Sequence, residues 1–270
     1  MSQQEPQRRP LRRPELPAGR LWTAVEVRAE TGSTNADLVA AARAGAPEGQ
    51  VLVAEHQRAG RGRVGRSWTA PPRAGLAVSV LLRPGQPGSG WPAVDPGRWG
   101  WLPLLAGVAL ARAVTRVAAV GAVLKWPNDL LVGGAKCAGV LAEVAGPAVV
   151  VGIGLNVTET ADELPPGGTS LALAGAASAD RDALLGALLA ELADWYCRWR
   201  AAGGDPEAGL RDAYRGWCAT LGSRVRVRLP AGAELTGTAD TVDLDGRLVL
   251  VTGAGRRALA AGDITHLRPA

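Results

Sequence analysis

Four arginines and three glycines share the nine residues Arg58-Ala59-Gly60-Arg61-Gly62-Arg63-Val64-Gly65-Arg66. Glycine lets a backbone take positive φ or press close to a bound group, and a guanidinium offers a planar fork of donors matched to carboxylate or phosphate. The stretch therefore has the chemistry of an anion-holding loop. It fits neither the dinucleotide pattern GxGxxG nor the phosphate loop GxxxxGK[ST], because no lysine-plus-hydroxyl pair follows the last glycine. By itself an Arg/Gly-rich turn is equally compatible with a solvated basic loop, so the remaining residues decide.

The second chemical signal is how lysine is used. Among 30 basic side chains only Lys125 and Lys136 are lysines, and both fall within the segment LKWPNDLLVGGAKC. Where positive charge alone is wanted this sequence uses arginine, so two neighbouring lysines point to a place that needs a compact ammonium. The third signal is the run Thr31-Gly32-Ser33-Thr34-Asn35 ahead of a helical pattern. Ser33 or Thr34 is a natural N-cap, and the run holds more hydrogen-bonding side chains than one cap consumes.

Periodicity supplies the elements that must carry these groups. Residues 21–29 read as a strand, 36–44 as a helix, and 51–55 as a buried strand running directly into the arginine loop. Residues 76–82 form an apolar strand, and 99–119 show the spacing of a core helix. Residues 123–145 read as paired strands around the Gly133-Gly134 turn, and 148–157 as a further strand. Glycines inside strands mark either bulges or a close approach by a ligand, which makes Gly139, Gly152 and Gly154 candidates for a pocket wall. Helices are expected over 180–202 and 206–217. From Gly222 onward short strands at 225–229, 235–242, 248–251 and 257–259 suggest a small β-barrel. The fold class is α+β, a large mixed domain followed by a small all-β one.

Composition narrows the function. The net charge is +5, but the first twenty residues hold five arginines against two glutamates and contribute +3 of it. A body carrying only +2 lacks the broad basic face that gathers nucleic acid through many phosphate contacts. The same twenty residues contain four prolines and little apolar sequence, and are expected to be a disordered Arg/Pro-rich tail. No secretory h-region and no uninterrupted apolar run of 18 residues is present, so no membrane partner is expected. Cys137, Cys197 and Cys218 are odd in number and lack metal or disulfide spacing, which suggests a cytoplasmic protein.

Five ordered motifs, ETGSTN at 30–35, EHQRAGRGRVGRSW at 55–68, KWPNDLL at 125–131, KCAGVLAEV at 136–144 and GIGLN at 152–156, resemble those of biotin protein ligases. The resemblance implies a catalytic domain over 21–218, built as a mixed β-sheet flanked by helices, and a C-terminal SH3-like β-barrel over 219–270. It implies a monofunctional type without an N-terminal winged helix, with no DNA bound, as a monomer or weak homodimer. The implied reaction joins biotin to ATP as biotinyl-5′-AMP and passes biotin to a lysine of a biotin carboxyl carrier protein domain of biotin-dependent carboxylases, with Mg²⁺ as cofactor. Two anions must meet in the first step. That task is assigned to Arg61, Arg63 and Lys136, with Lys125 a second candidate for the phosphates. By the resemblance, Ser33, Thr34, Asn35, Gln57 and Gly62 would hold biotin while Gly139 and Gly152 admit it closely. Trp68, Lys125, Asn128 and Asn156, with Arg63, would hold the nucleotide, and Asp129 would stand at the magnesium or pin its own turn. A lipoate ligase is the nearest enzyme alternative, and a non-catalytic nucleic-acid-binding module the alternative from another class.

Overall fold

The computed structural model describes residues 8–12, 21–88, 90–229 and 232–267. Strand β1 (Ala24–Arg28) pairs in parallel with β2 (Gln50–Ala54), which requires a crossover, and helix α1 (Thr34–Arg43) provides it. Every other neighbour is antiparallel. β3 (Leu76–Leu82) follows β2, and β4 (Ala122–Lys125), β5 (Asp129–Val132), β6 (Ala135–Ala145) and β7 (Ala148–Leu155) complete a seven-stranded mixed sheet in the order β1-β2-β3-β7-β6-β5-β4. The central runs LAVSVLL and AVVVGIGL are almost continuously apolar because both faces of the sheet are covered.

Alternation along the strands assigns the two faces. Val51, Val53, Val78, Val80, Val149 and Val151 join the main core, whereas their neighbours Leu52, Leu81 and Val150 join a smaller one with Leu38 and Ala42 of α1. The main core also takes α2 (Trp101–Ala118), α3 (Arg181–Ala201) and α4 (Leu210–Trp217). Helix α2 is apolar around most of its circumference because it lies between sheet and helices. With its preceding turn it is long and apolar enough to cross a bilayer, but 72% of that window is buried within the protein.

The C-terminal residues form a small antiparallel β domain consistent with the SH3-like expectation, but its sheet does not close into the expected barrel. β8 (Arg224–Arg228), β9 (Glu234–Val242), β10 (Leu248–Thr252), β11 (Gly255–Leu259) and β12 (Asp263–His266) make an antiparallel sheet in the order β11-β10-β9-β8-β12 around Val225, Val227, Ala239, Leu248 and Leu250. The last of these strands is not among those expected from the sequence. Helix α4 starts at Leu210 and not at 206, because Gly209 at φ 103° stands at its N-cap.

The tail needs a larger correction. Residues 1–7 and 13–20 lie outside the described residues, but 8–12 pack on the body. Arg8 donates to Glu163 at 2.6 and 3.1 Å and to the Thr158 carbonyl at 3.0 Å, Arg9 pairs with Asp180 at 2.7 Å, and Leu11 is buried. Arg8 and Arg9, counted as surplus charge in the sequence, have carboxylate partners more than 150 residues away. The Leu11 amide donates to Glu55, whose other oxygen takes Arg181 Nη1 at 2.6 Å. Arg181 Nη2 in turn donates to the Arg9 carbonyl at 2.6 Å, and both side chains of the Arg181–Glu55 pair are 7% exposed.

Removing one member of such a pair leaves a buried charge without its partner, at a cost of about 3–5 kcal/mol. Urea denaturation of Arg181→Met is expected to show a loss of that size, and Glu55→Gln in the same chain is expected to recover at least half. Glu163 is held below its ordinary value of 4.5, chiefly by its hydrogen bond from Arg8. The pair therefore contributes fully above that value and loses its contribution as pH falls through the lowered one. The stability gap between the parent and Arg8→Ala should close in that direction in a pH series of melts.

Candidate active site

The loops after β1 and β2 are stitched together by their backbones. Thr31 bridges Gln57 in parallel register, Arg58 N–H donates to the Thr31 carbonyl at 2.9 Å, and Ala59 N–H to the Gly32 carbonyl at 2.8 Å. This brings the hydroxyl run and the arginine loop to one end of the sheet. Ser33 caps α1, its Oγ accepting the Ala36 amide at 3.4 Å, so one of the two expected caps is the real one. The Thr34 amide and hydroxyl both donate to Gln57 Oε1, at 2.9 and 3.1 Å. Below them Ser79, fully buried on β3, has Thr34 Oγ1 at 2.7 Å and Asn35 Oδ1 at 2.6 Å within reach of its one hydroxyl proton. Asn35 Nδ2 donates to the Leu141 carbonyl at 3.2 Å and to Glu143 at 2.8 Å. Both amide hydrogens of Asn35 thus serve the protein, and this side chain shapes the floor. A Cβ at position 152 would lie 2.1 Å from Asn35 Oδ1, so glycine is required on β7 for that floor to exist.

The arginine loop is a narrow hairpin. Its rungs are the Gly62 amide to the Arg66 carbonyl at 2.7 Å and the Trp68 amide to the Gly60 carbonyl at 2.8 Å. Of its glycines only Gly65 takes positive φ, at 70°, beside Val64 at 55°. The expectation that Gly60 and Gly62 also do so is corrected. Gly62 is extended, with φ −116°, and Gly60 is needed for proximity, since a Cβ there would lie 2.3 Å from the Trp68 carbonyl oxygen. Three arginines reach from the hairpin to different elements: Arg61 to Glu143 at 3.1 Å, Arg63 to Asn128 Oδ1 at 3.0 Å, and Arg66 to Asp263 of β12. Burial pulls the Arg63 guanidinium below its ordinary pKa, partly offset by Asp263 and Asp129. A desolvated cation of this kind favours an incoming anion.

Trp68 closes the hairpin over β6 and β7. A Cβ at Gly154 would come within 2.4 Å of its indole, whereas one at Gly139 would meet it at an ordinary 3.5 Å. Of the three strand glycines, then, 152 and 154 are required by close approach and 139 is not. Lys136 Nζ lies 2.6 Å from Asp129 Oδ1 and 6.0 Å from the Trp68 ring. The backbone of Lys136 also receives the loop over 165–168, its amide donating to the Gly167 carbonyl at 2.9 Å and its carbonyl accepting the Thr169 amide at 2.8 Å. Asn128 Nδ2 donates to the Val140 carbonyl and Asn156 Nδ2 to the Thr169 carbonyl. Cys137 beside Lys136 is fully buried, and desolvation pushes its thiol up to about 12, so it packs and does not react.

These groups enclose one cavity of about 760 Å³. It is lined by every residue singled out from the sequence: Ser33, Thr34, Asn35, Gln57, Arg61, Gly62, Arg63, Trp68, Lys125, Asn128, Asp129, Lys136, Gly139, Gly152 and Asn156. Its lining holds five cations, Arg61, Arg63, Arg66, Lys125 and Lys136, against the carboxylates Asp129 and Asp263, which makes it a receptor for polyanions. Among the described residues no group of three or more His, Cys, Asp or Glu side chains is placed to hold a metal. Sequence reasoning missed Ser79, Glu143, Asp263 and the 165–168 loop. Ser79 and Glu143 carried a signal, each being a lone polar residue in an otherwise apolar strand segment, whereas Asp263 carried none.

Two family models match the chain, the Biotin/lipoate A/B protein ligase family over residues 31–157 and the Biotin protein ligase C terminal domain over residues 220–267. The biotin--[acetyl-CoA-carboxylase] ligase of Mycobacterium tuberculosis is 46% identical over 264 residues, covering 96% of this chain and 95% of that one. The bifunctional ligase/repressor BirA of Bacillus subtilis is 32% identical, over 81% of this chain and 66% of its own. Among solved structures, a biotin protein ligase from Aquifex aeolicus in complex with biotin and ATP superposes with a TM-score of 0.74 at 25% identity, covering 92% of this chain and all of that one. With fold, cavity and both modules in agreement, the chain belongs to the biotin protein ligase family.

Proposed function

We propose that the cavity holds biotin and ATP side by side, and that its cationic lining drives their union. The enzyme is an ATP-dependent biotin ligase that makes biotinyl-5′-AMP and transfers biotin to a protein lysine. In the first step a biotin carboxylate oxygen bonds to the α-phosphorus of ATP and pyrophosphate leaves. In the second, a neutral lysine amine of the acceptor bonds to the acyl carbon, AMP leaves, and the amine proton is released. The acceptor is a carrier domain of a biotin-dependent carboxylase, and the reaction takes place in the cytosol, where Cys137, Cys197 and Cys218 remain free thiols.

Two anions about 4 Å apart repel by roughly 4 kcal/mol at an effective dielectric of ~20. Fixed cations aimed at the place where charge accumulates oppose this without reorganising during the reaction. Arg61, Arg63 and Lys136 take this role. Ser33, Thr34, Asn35 and Gln57 form the uncharged polar floor for the biotin head, with Gly62, Gly139 and Gly152 beside it. Trp68, Lys125, Asn128 and Asn156 receive the nucleotide together with Arg63. The donor set fits a magnesium ion that arrives on the triphosphate, since such ions keep most of their water and take one or two protein carboxylates. Asp129 is the carboxylate for that position, and the ion would add positive charge at the phosphates. The observation that carries this reading is the convergence of five cations on a cavity whose floor is neutral and polar.

Incubation with biotin, ATP and magnesium should leave a protein-bound acyl adenylate detectable by mass spectrometry. A folded preparation that binds no biotin and releases no pyrophosphate would remove the proposal. Lys136→Arg keeps the charge but replaces a compact ammonium by a planar fork, and pyrophosphate exchange is expected to fall at least about tenfold, a loss of about 1.4 kcal/mol. A rate within twofold of the parent would take Lys136 out of its role. Gly154→Ala drives a methyl into the Trp68 indole, and the KM for ATP is expected to rise by about tenfold, since small misplacements at a reacting centre are costly. An unchanged KM would mean that Trp68 does not cover the nucleotide.

A further inference from the structure

Glu143 lies on β6, seven residues beyond Lys136 and outside the cavity lining. One of its oxygens, Oε2, takes both Asn35 Nδ2 at 2.8 Å and Arg61 Nη2 at 3.1 Å. Asn35 belongs to the floor of the cavity and Arg61 to the hairpin above it. We propose that Glu143 is the positioning residue for Arg61, holding the first guanidinium of the hairpin in register with the biotin floor. The assignment rests on the role given to Arg61 under Proposed function.

Stability does not account for this carboxylate. The two side chains are 27% and 43% exposed, and an ion pair so open to water adds little to folding. Its geometric effect is larger. Asn35 cannot turn, because its carbonyl faces Ser79 Oγ at 2.6 Å and its remaining amide hydrogen is directed to the Leu141 carbonyl at 3.2 Å. Asn35 in turn donates to Glu143 Oε2, and that oxygen is therefore a fixed point. Arg61 sits on a hairpin with glycine on both sides of it, and a free arginine there would lose much rotamer freedom on closing over a substrate. Tying one Nη to a fixed oxygen removes part of that loss in advance and leaves the other guanidinium hydrogens for an anion. The chain Ser79, Asn35, Glu143, Arg61 links the deepest polar group of the floor to the lid. Occupancy of one is thereby coupled to the order of the other.

A glutamine at 143 would still accept from Asn35 but would lose the negative charge that draws the Arg61 guanidinium, so Glu143→Gln weakens the Arg61 contact and spares the Asn35 one. Biotin-dependent pyrophosphate exchange is to be measured on the parent, Glu143→Gln, Arg61→Ala and the double variant, with amide hydrogen exchange followed in parallel. Glu143→Gln is expected to raise the KM for biotin at least fivefold with kcat within twofold, and to speed exchange over residues 60–67 while leaving β3 and β7 unchanged. The double variant should match Arg61→Ala within twofold, because once Arg61 is absent the carboxylate has nothing to position. Multiplying effects in the double variant, or a KM within twofold of the parent for Glu143→Gln while Arg61→Ala is impaired, would overturn the role of Glu143 alone. An Arg61→Ala enzyme with parental kinetics would instead overturn the assignment of Arg61, and this one with it.

Discussion

Repulsion between a carboxylate and a polyphosphate is the constraint around which this fold is arranged. Opposing it takes several cations on one wall, and cations crowded together repel one another as strongly as the anions they serve. The structure resolves the second problem by giving most of them a local partner drawn from a different element. Arg61 has Glu143 on β6, Arg66 has Asp263 on β12, Lys136 has Asp129 on β5, and Arg63 has the neutral Asn128. Each partner holds its cation at a chosen place without cancelling the surplus, since the five cations of the lining still outnumber the three carboxylates Glu143, Asp263 and Asp129. Arg63, desolvated by burial and with a neutral amide for a hydrogen-bond partner, keeps its charge to offer.

The sheet serves this arrangement by bringing β6 and β7 beside β3. β3 and β7 are buried along nearly their whole length, so the floor built by Ser79, Asn35 and Gly152 is closely packed. The cover is different in kind: a hairpin of alternating glycine and arginine, exposed along much of its length and fastened through the side chains of Arg61, Arg63 and Arg66. A closely packed base under a hairpin cover suits chemistry that passes through a water-sensitive acyl phosphate.

How much of this could be read from the sequence differs by residue. The lining residues were legible because their types are unusual for their surroundings: lysines in a chain of arginines, hydroxyls in excess of a cap, glycines inside strands. The reason for a glycine was less legible. Gly60 and Gly154 are demanded by proximity to Trp68 and Gly65 by its dihedral angle, and only three-dimensional neighbours separate those causes. Residues 8–12 misled because low hydrophobicity and like charge describe both a free tail and a segment paired to acids 150 or more positions away. Asp263 was invisible for the same reason, since nothing local says that the small β domain lays its last strand beside the arginine hairpin.

That last strand sets a condition on biosynthesis. The cavity is lined from Ser33 to Ile264, so its two rims are translated far apart in time. A chain still leaving the ribosome has made every strand of its large sheet once Leu155 is in place, yet its receptor is unfinished until β12 emerges. Assembly of the polyanion site therefore waits on β12, and a chain cut before that strand would lack Asp263 and Ile264 from the rim of the site.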